Sequence, residues 1–122
     1  MEIAGLGNLM RALDDTLDDE AKRQVRETAE ADLWQMHLGL NALIRSIAYH
    51  RNSSTVGRSF FDRLGTPDDG SAVLGMVYWW HVLGISPTKE MFAAALQQHI
   101  LWFSVQESDA LSEEMLASYV ER

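Results

Sequence analysis

Four histidines are the side chains of this chain best suited to metal binding or proton transfer: His37, His50, His81 and His99. None stands in a His-Glu-x-x-His or Glu-x-x-His pattern, which would place two ligands on one side of a helix. The chain has no cysteine, which excludes disulfides and thiolate ligands. The spacing therefore predicts neither a metal site nor a bound cofactor, and histidines at the edge of the core are expected instead.

Nucleophilic catalysis has equally little support. His50 lies near Ser53, Ser54 and Asp62 in the sequence, but a catalytic triad is defined by its geometry, and serine close to histidine is common. The chain has no glycine-rich phosphate loop and no nucleophile elbow. We predict no catalytic residues and a function that is not enzymatic.

An acidic cluster occupies residues 14–20, which read DDTLDDE. The cluster lacks the spacing and the turn glycine of an EF-hand loop, so calcium binding is not supported. Acidic side chains at the start of a helix accept hydrogen bonds from its free N–H groups and suit its dipole. We expect a solvated helix start capped by Asp18 or Asp19, which could also face a basic partner.

Three arginines, Arg45, Arg51 and Arg58, lie in a stretch without acids that extends over residues 33–61. The favoured interpretation is that they pair with the acids of residues 14–20, within the chain or across a dimer. The alternative is a small site for an anion or an acidic partner, because the planar guanidinium group binds carboxylates and phosphates through two parallel hydrogen bonds.

The most unusual segment is an uncharged one, residues 71–88, which reads SAVLGMVYWWHVLGISPT. Apolar residues on every side of a helix predict a central helix surrounded by its neighbours. Adjacent helical residues point about 100° apart. The alternative is therefore that Trp79 and Trp80 cannot both enter one small core, and that one of them anchors an interface. Gly75 and Gly84 are typical of close helix approach.

A second apolar face extends over residues 91–103. We predict that the two aromatic segments build a homodimer interface or a partner-binding surface, because aromatic side chains are frequent hot spots of binding. The predicted members are Tyr78, Trp79, Trp80, Met91, Phe92, Trp102 and Phe103.

Helical spacing dominates the order of the elements. Steps of three and four join the apolar residues of a first helix, which are Ile3, Leu6, Met10, Leu13 and Leu17. A long second helix is predicted over residues 20–51, with a similar stripe at Leu33, Met36, Leu40, Leu43 and Ile47. Such a helix would bend near Gly39 or project towards a second copy.

Capping residues and breakers set the remaining boundaries. Ser53 or Ser54 is expected to cap a third helix, and Gly65 to end it. Residues 68–71 are predicted to form a surface loop, and Ser71 is expected to cap a fourth helix that ends at Gly84.

The last two predicted helices follow a serine each. Ser86 before Pro87 should open a fifth helix that continues to about residue 106, and a short last helix should begin near Ser112. The predicted fold is all-α, with residues 1–122 in one domain: a compact bundle of five or six helices.

Charge and hydropathy limit the partners. The formal net charge is −8, which repels nucleic acids. The turn at residues 83–86 superficially suits a helix-turn-helix, but the helix after it begins with one lysine beside a glutamate, which reads DNA poorly. The longest apolar run, residues 72–85, is shorter than the roughly 20 residues of a membrane span. The N-terminus has no signal-peptide pattern, so we expect a cytoplasmic protein that binds neither nucleic acid nor membrane.

These features predict a small acidic regulatory protein that binds a basic or apolar surface of a protein partner, as an inhibitor or antiactivator does. Its partner could be a transcription regulator or a nucleic-acid machine. One alternative is a helical module that binds a small molecule in an aromatic-lined pocket. Another is a structural or assembly component.

Overall fold

A computed structural model describes residues 2–33 and 39–120 of the chain. Within these two ranges there are seven α-helices and no strand, which confirms the all-α prediction. The number of helices is higher than the five or six expected. The helices are α1 (Leu6–Thr16), α2 (Asp19–Glu27), α3 (Leu40–Arg45), α4 (Thr55–Asp62), α5 (Pro67–Val82), α6 (Lys89–His99) and α7 (Val105–Val120), and a π-helical turn (Ser46–His50) continues α3.

The first helix follows its sequence pattern closely. Leu6, Met10 and Leu13 of the predicted stripe are fully buried on the inner side of α1. The chain then turns at Leu17, and the Asp18 carboxylate accepts a hydrogen bond from the backbone N–H of Ala21 at 2.8 Å. The expected acidic cap is therefore present at the start of α2.

The predicted long helix over residues 20–51 is wrong, because α2 ends at Glu27. Thr28 leaves the helix in an extended conformation, with ψ of 129°. Its hydroxyl donates to the carbonyl of Gln24 at 2.7 Å, and such local bonds compete with continued helix. A short 3₁₀ turn follows at residues 30–33. Met36, a member of the predicted stripe, lies outside the described residues.

The predicted surface loop at residues 68–71 is also wrong. Thr66 caps α5 by accepting a hydrogen bond from the N–H of Asp69 at 3.2 Å, and Pro67 occupies the first turn, where no N–H is needed. Ser71, the cap predicted from sequence, is buried inside α5 and donates to the carbonyl of Asp68. Gly65 ends the preceding helix with φ of +88°, as expected.

The two C-terminal helices begin and end differently from the prediction. Thr88, not Ser86, caps α6 by accepting from the N–H of Met91 at 3.2 Å. α6 stops at His99, so residues 100–104 form a connection instead of a continued helix. The last helix is then a long one that begins at Val105.

The uncharged helix α5 is central, as the pattern of apolar residues on all its sides predicts. It contacts α2, α3, α4 and α6, while α6 packs along α7 and α7 packs on α1. Gly75 permits the close approach of α3 to α5, because a methyl group at Gly75 would overlap the side-chain oxygen of Asn41. Gly84 has a different role, since its φ of +76° lets the chain turn after α5 and its Cβ position faces open space.

None of the helices in the described ranges has both the length and the apolar character needed to cross a membrane.

Candidate functional site

Three of the seven predicted interface residues belong to the interior of the chain. Tyr78 and Phe92 are fully buried, and Trp80 is 8% exposed. The Trp80 ring meets the Phe92 ring edge to face, with 6.0 Å between their centroids. These side chains are therefore already covered by this chain, which is the core alternative that the sequence left open.

The adjacent tryptophans both pack against the core, so the alternative that only one of them fits there is wrong. Trp80 points towards α6, whereas Trp79 is half-buried against the core on the side of α2. The Trp79 indole N–H donates to the carbonyl of Thr28 at 2.9 Å. Because Thr28 follows the last turn of α2, this bond holds the end of α2 against α5. Because the two side chains point about 100° apart, Trp80 contacts α6 and Trp79 contacts the end of α2.

Met91 is half-buried and takes part in the start of α6. Its sulfur accepts a hydrogen bond from the N–H of Thr88 at 3.4 Å, and its own N–H donates to the Thr88 hydroxyl. This reciprocal arrangement has the form of a capping box with a thioether in place of a carboxylate.

The exposed members of the predicted set lie in the connection between α6 and α7. Trp102 is 63% exposed, and its ring contacts the half-buried Phe103 ring edge to face at 4.6 Å. Leu101 and Val105 beside it are even more exposed. A Cβ atom placed on Gly65 would lie 3.2 Å from the Trp102 ring, so the indole rests on bare backbone at the end of α4.

A hollow of about 420 Å³ lies beside these rings. Its apolar wall consists of Trp102, Phe103 and Leu111, and its charged edge is formed by Asp62, Arg63, Glu107 and Glu114. The hollow is open to solvent along this edge, where all four charged residues are exposed.

A second hollow of about 450 Å³ adjoins the first along α4. Val56, which is 71% exposed, and the half-buried Phe60 form its apolar part. Arg63 and Glu114 line both hollows and form an ion pair with each other. The Arg63 guanidinium also lies 5.9 Å from the centre of the Phe60 ring, in the range of a cation–π contact.

We call this region the α4–α7 surface, defined by Val56, Phe60, Leu101, Trp102, Phe103 and Val105. The sequence predicts Trp102 and Phe103 as members of a binding surface, but not Val56 and Phe60 on α4. A signal existed: Phe60 and Phe61 are adjacent on a helix, and the fully buried Phe61 faces the core, which turns Phe60 outward.

Within the described part of this chain, the three arginines form no ion pair with the acids of residues 14–20. The expected pairing inside the chain is therefore wrong, while pairing across a dimer stays a prediction. Arg45 lies 3.6 Å from the Asp68 carboxylate and donates to the Ser71 hydroxyl at 3.2 Å, so it ties α3 to the start of α5. Arg58 donates to the backbone carbonyl of Asn52. Arg51 is exposed after the π-helical turn.

Asp14 instead connects three helices through a partly buried polar network. Its carboxylate accepts a hydrogen bond from the Tyr78 hydroxyl at 3.0 Å and lies 2.8 Å from Nε2 of His81. The other ring nitrogen of His81 lies 3.2 Å from the Tyr119 hydroxyl. Burial, with the Asp14 hydrogen bond, raises the pKa of the Tyr78 hydroxyl. None of these residues lines either hollow, so the network acts by joining α1, α5 and α7.

Metal binding has no support in the described ranges, where no three His, Asp or Glu side chains come together in a cluster that could hold an ion. Of the four histidines, His37 lies outside those ranges.

Comparison with known proteins gives no relative: no protein-family model, no curated protein and no solved structure matches the chain.

Proposed function

We propose that the protein binds a protein partner through the α4–α7 surface and regulates that partner by covering part of it. The observation that carries the proposal is the exposure of Trp102 together with Leu101 and Val105 at the edge of an apolar hollow. Tryptophan is among the side chains that most often dominate binding energy at protein interfaces. An exposed apolar cluster beside a groove is typical of such interaction sites.

The aromatic pair is held in place before any partner arrives. Trp102 rests on the backbone at Gly65 and against the Phe103 ring. A side chain that is already ordered loses less conformational entropy on binding, which favours affinity. Gly65 is suited to this role because its positive φ disfavours any other residue and because it has no side chain that would displace the indole.

A regulatory role agrees with the chemistry of the surface. Its lining consists of apolar side chains and a few exposed charges, which suit recognition of a protein surface. By occupying a surface that the partner uses elsewhere, the protein would inhibit or sequester it in the cytoplasm without any reaction of its own.

Capture from the native lysate tests the proposal, with wild-type protein compared with Trp102→Ala and Val120→Ala. Val120 is also an exposed apolar residue, at 68%, but it lies at the far end of α7, about 22 Å from Val105 by the helical rise. We expect one protein to be captured in stoichiometric amounts by the wild type and by Val120→Ala, and to be lost with Trp102→Ala. Equal capture by all three proteins would contradict the proposal.

A further inference from the structure

The two hollows of the α4–α7 surface are separated by a single ion pair. Arg63 of the α4 end and Glu114 of α7 line both hollows and contact each other between them. Their side chains are 49% and 52% exposed. An exposed ion pair and an exposed cation–π contact are both weak, so little is lost when Arg63 moves away from Glu114 and the Phe60 ring. A movement of Arg63 would join the hollows into one groove, with Phe60 at one end and Trp102 at the other.

The edge of this groove is acidic. The edge of the hollow beside Trp102 carries three acids and one base, which are Asp62, Glu107, Glu114 and Arg63. In the described part of the chain, neither Asp62 nor Glu107 forms an ion pair. Such an edge attracts a positively charged partner and repels an acidic one.

Resting on the proposed function, we infer that the occupant of the groove is an amphipathic helix of the partner whose apolar face is flanked by lysine or arginine. Apolar side chains one and two turns apart would fill the two hollows, and a basic side chain would replace Arg63 on Glu114. A helix satisfies its own backbone hydrogen bonds. A peptide that binds by adding a strand would need a sheet edge, and the described residues include no strand.

Charge argues against a second copy of the chain as the occupant. The chain carries 18 acidic and 10 basic residues. In a symmetric dimer the same patch meets itself, so one patch with an excess of acids would face another. Like charges placed together at an interface weaken it.

The test uses three fluorescein-labelled peptides of about 18 residues, close to five helical turns. The first has leucine on one helical face and lysine on the other. The second replaces every lysine with glutamate, and the third has the composition of the first in an order that is not amphipathic. Fluorescence anisotropy with the full chain gives each affinity. We expect the leucine–lysine helix to bind at least about tenfold more tightly than either other peptide, a difference of 1.4 kcal/mol.

Substitutions in the groove separate the proposed site from general attraction to an acidic protein. Trp102→Ala should weaken binding of the leucine–lysine helix by about tenfold, and Glu114→Gln by about two- to fivefold, because its ion pair is exposed. Arg63→Gln should strengthen binding, because it removes the internal competitor for Glu114 and one repulsive charge. Damage to the fold would not produce a gain. The matched control Glu27→Gln, an exposed acid on α2, should leave the affinity within about twofold.

Each outcome decides the inference. It is overturned if the leucine–glutamate helix binds as tightly, if no peptide binds, or if Arg63→Gln weakens binding. If the wild type binds the lysine and glutamate helices equally and Trp102→Ala binds neither, the inferred basic character of the partner is wrong. The proposed binding surface would then still stand. A concentration-dependent dimer in sedimentation that disappears in Trp102→Ala would assign the groove to a second copy instead.

Discussion

Among single residues, Asp14 lies in an acidic segment at the end of α1, and its carboxylate forms hydrogen bonds within the fold. It belongs to a cluster that the sequence suggests is solvated, but its carboxylate reaches Tyr78 and His81 on α5. The tyrosine ring is fully buried, so its hydroxyl depends on a partner within the protein. Neighbouring Asp15 is exposed, which makes it a matched control.

We predict that Asp14→Asn lowers the free energy of unfolding by about 1 kcal/mol, because a charged acceptor is replaced by a neutral one in a partly exposed network. Asp15→Asn should change it by less than about 0.5 kcal/mol. Urea unfolding followed by circular dichroism measures both. Equal effects of the two substitutions would show that the network contributes nothing specific.

His99 gives the protein a source of acid sensitivity. Burial lowers the pKa of His99 below its ordinary value of 6.5, and the charge of Asp69 opposes this only in part. Its Nε2 is buried without a hydrogen-bond partner in the described residues. Because the folded state holds a proton more weakly than the unfolded state, the unfolded chain binds more protons as the pH falls below 6.5. Stability is then lost with falling pH.

We therefore predict that His99→Leu loses less stability than the wild type between about pH 7.5 and pH 5.5, the interval in which the unfolded imidazole takes up its proton. His50→Leu, a substitution at an exposed histidine, is the matched control. Urea unfolding of the three proteins at both pH values provides the comparison. Parallel losses in His99→Leu and the wild type would rule out His99 as the cause.

At the scale of elements, the contact between α3 and α5 depends on the missing side chain of Gly75. Asn41 faces it with a buried side-chain oxygen that has no hydrogen-bond partner in the described residues. A methyl group at Gly75 would collide with that oxygen, although alanine is the better helix former by about 1 kcal/mol.

We predict that Gly75→Ala lowers the free energy of unfolding by about 1–3 kcal/mol, as overpacking does. In an Asn41→Ala background the same substitution should leave the free energy of unfolding nearly unchanged or raise it. The colliding side-chain atoms of Asn41 are then absent, and alanine still has a higher helix propensity than glycine. A double-mutant cycle in urea measures this coupling. Additive effects would mean that the two helices do not meet at this point.

The elements also show what the sequence can and cannot predict. The stripe of α1 and the Asp18 cap depend on neighbours in the chain, and both were predicted correctly. The end of α2 at Thr28 was missed, because one contribution to it is the indole of Trp79, 51 residues away. The start of α5 was misplaced because Asp-Asp-Gly-Ser suits a loop as well as a first helical turn. Thr66 and Pro67 before it were the better signal.

In the whole molecule, some aromatic side chains are buried in the core and others are exposed, and composition alone does not show which. Tyr78, Trp80 and Phe92 fill the core, whereas Trp102 remains on the surface. The sequence predicts that aromatic side chains exceed the needs of a small core, but which of them stay outside depends on how α4, α6 and α7 meet. Val56 and Phe60 were missed for the same reason, since the uncovered side of α4 is set by its neighbours.

This division has a consequence for stability. We predict that Trp80→Ala lowers the free energy of unfolding by about 3–5 kcal/mol, as is typical for a buried aromatic residue. Trp102→Ala should lower it by about 1 kcal/mol or less, because most of its ring already contacts water. Urea unfolding of the two variants measures the difference. Losses of similar size would show that Trp102 is a structural residue and would weaken its assignment to a binding surface.

The central claim is that the α4–α7 surface meets a protein partner, and site-specific photo-crosslinking in the native cell tests it most directly. A benzophenone side chain would replace Val105 on this surface or, as the control, Val120 at the other end of α7. We expect a crosslink from position 105 to one different protein. This crosslink should be absent from position 120 and weakened by Trp102→Ala. Equal crosslinks from both positions, none from position 105, or a crosslink only to another copy of this chain would contradict it.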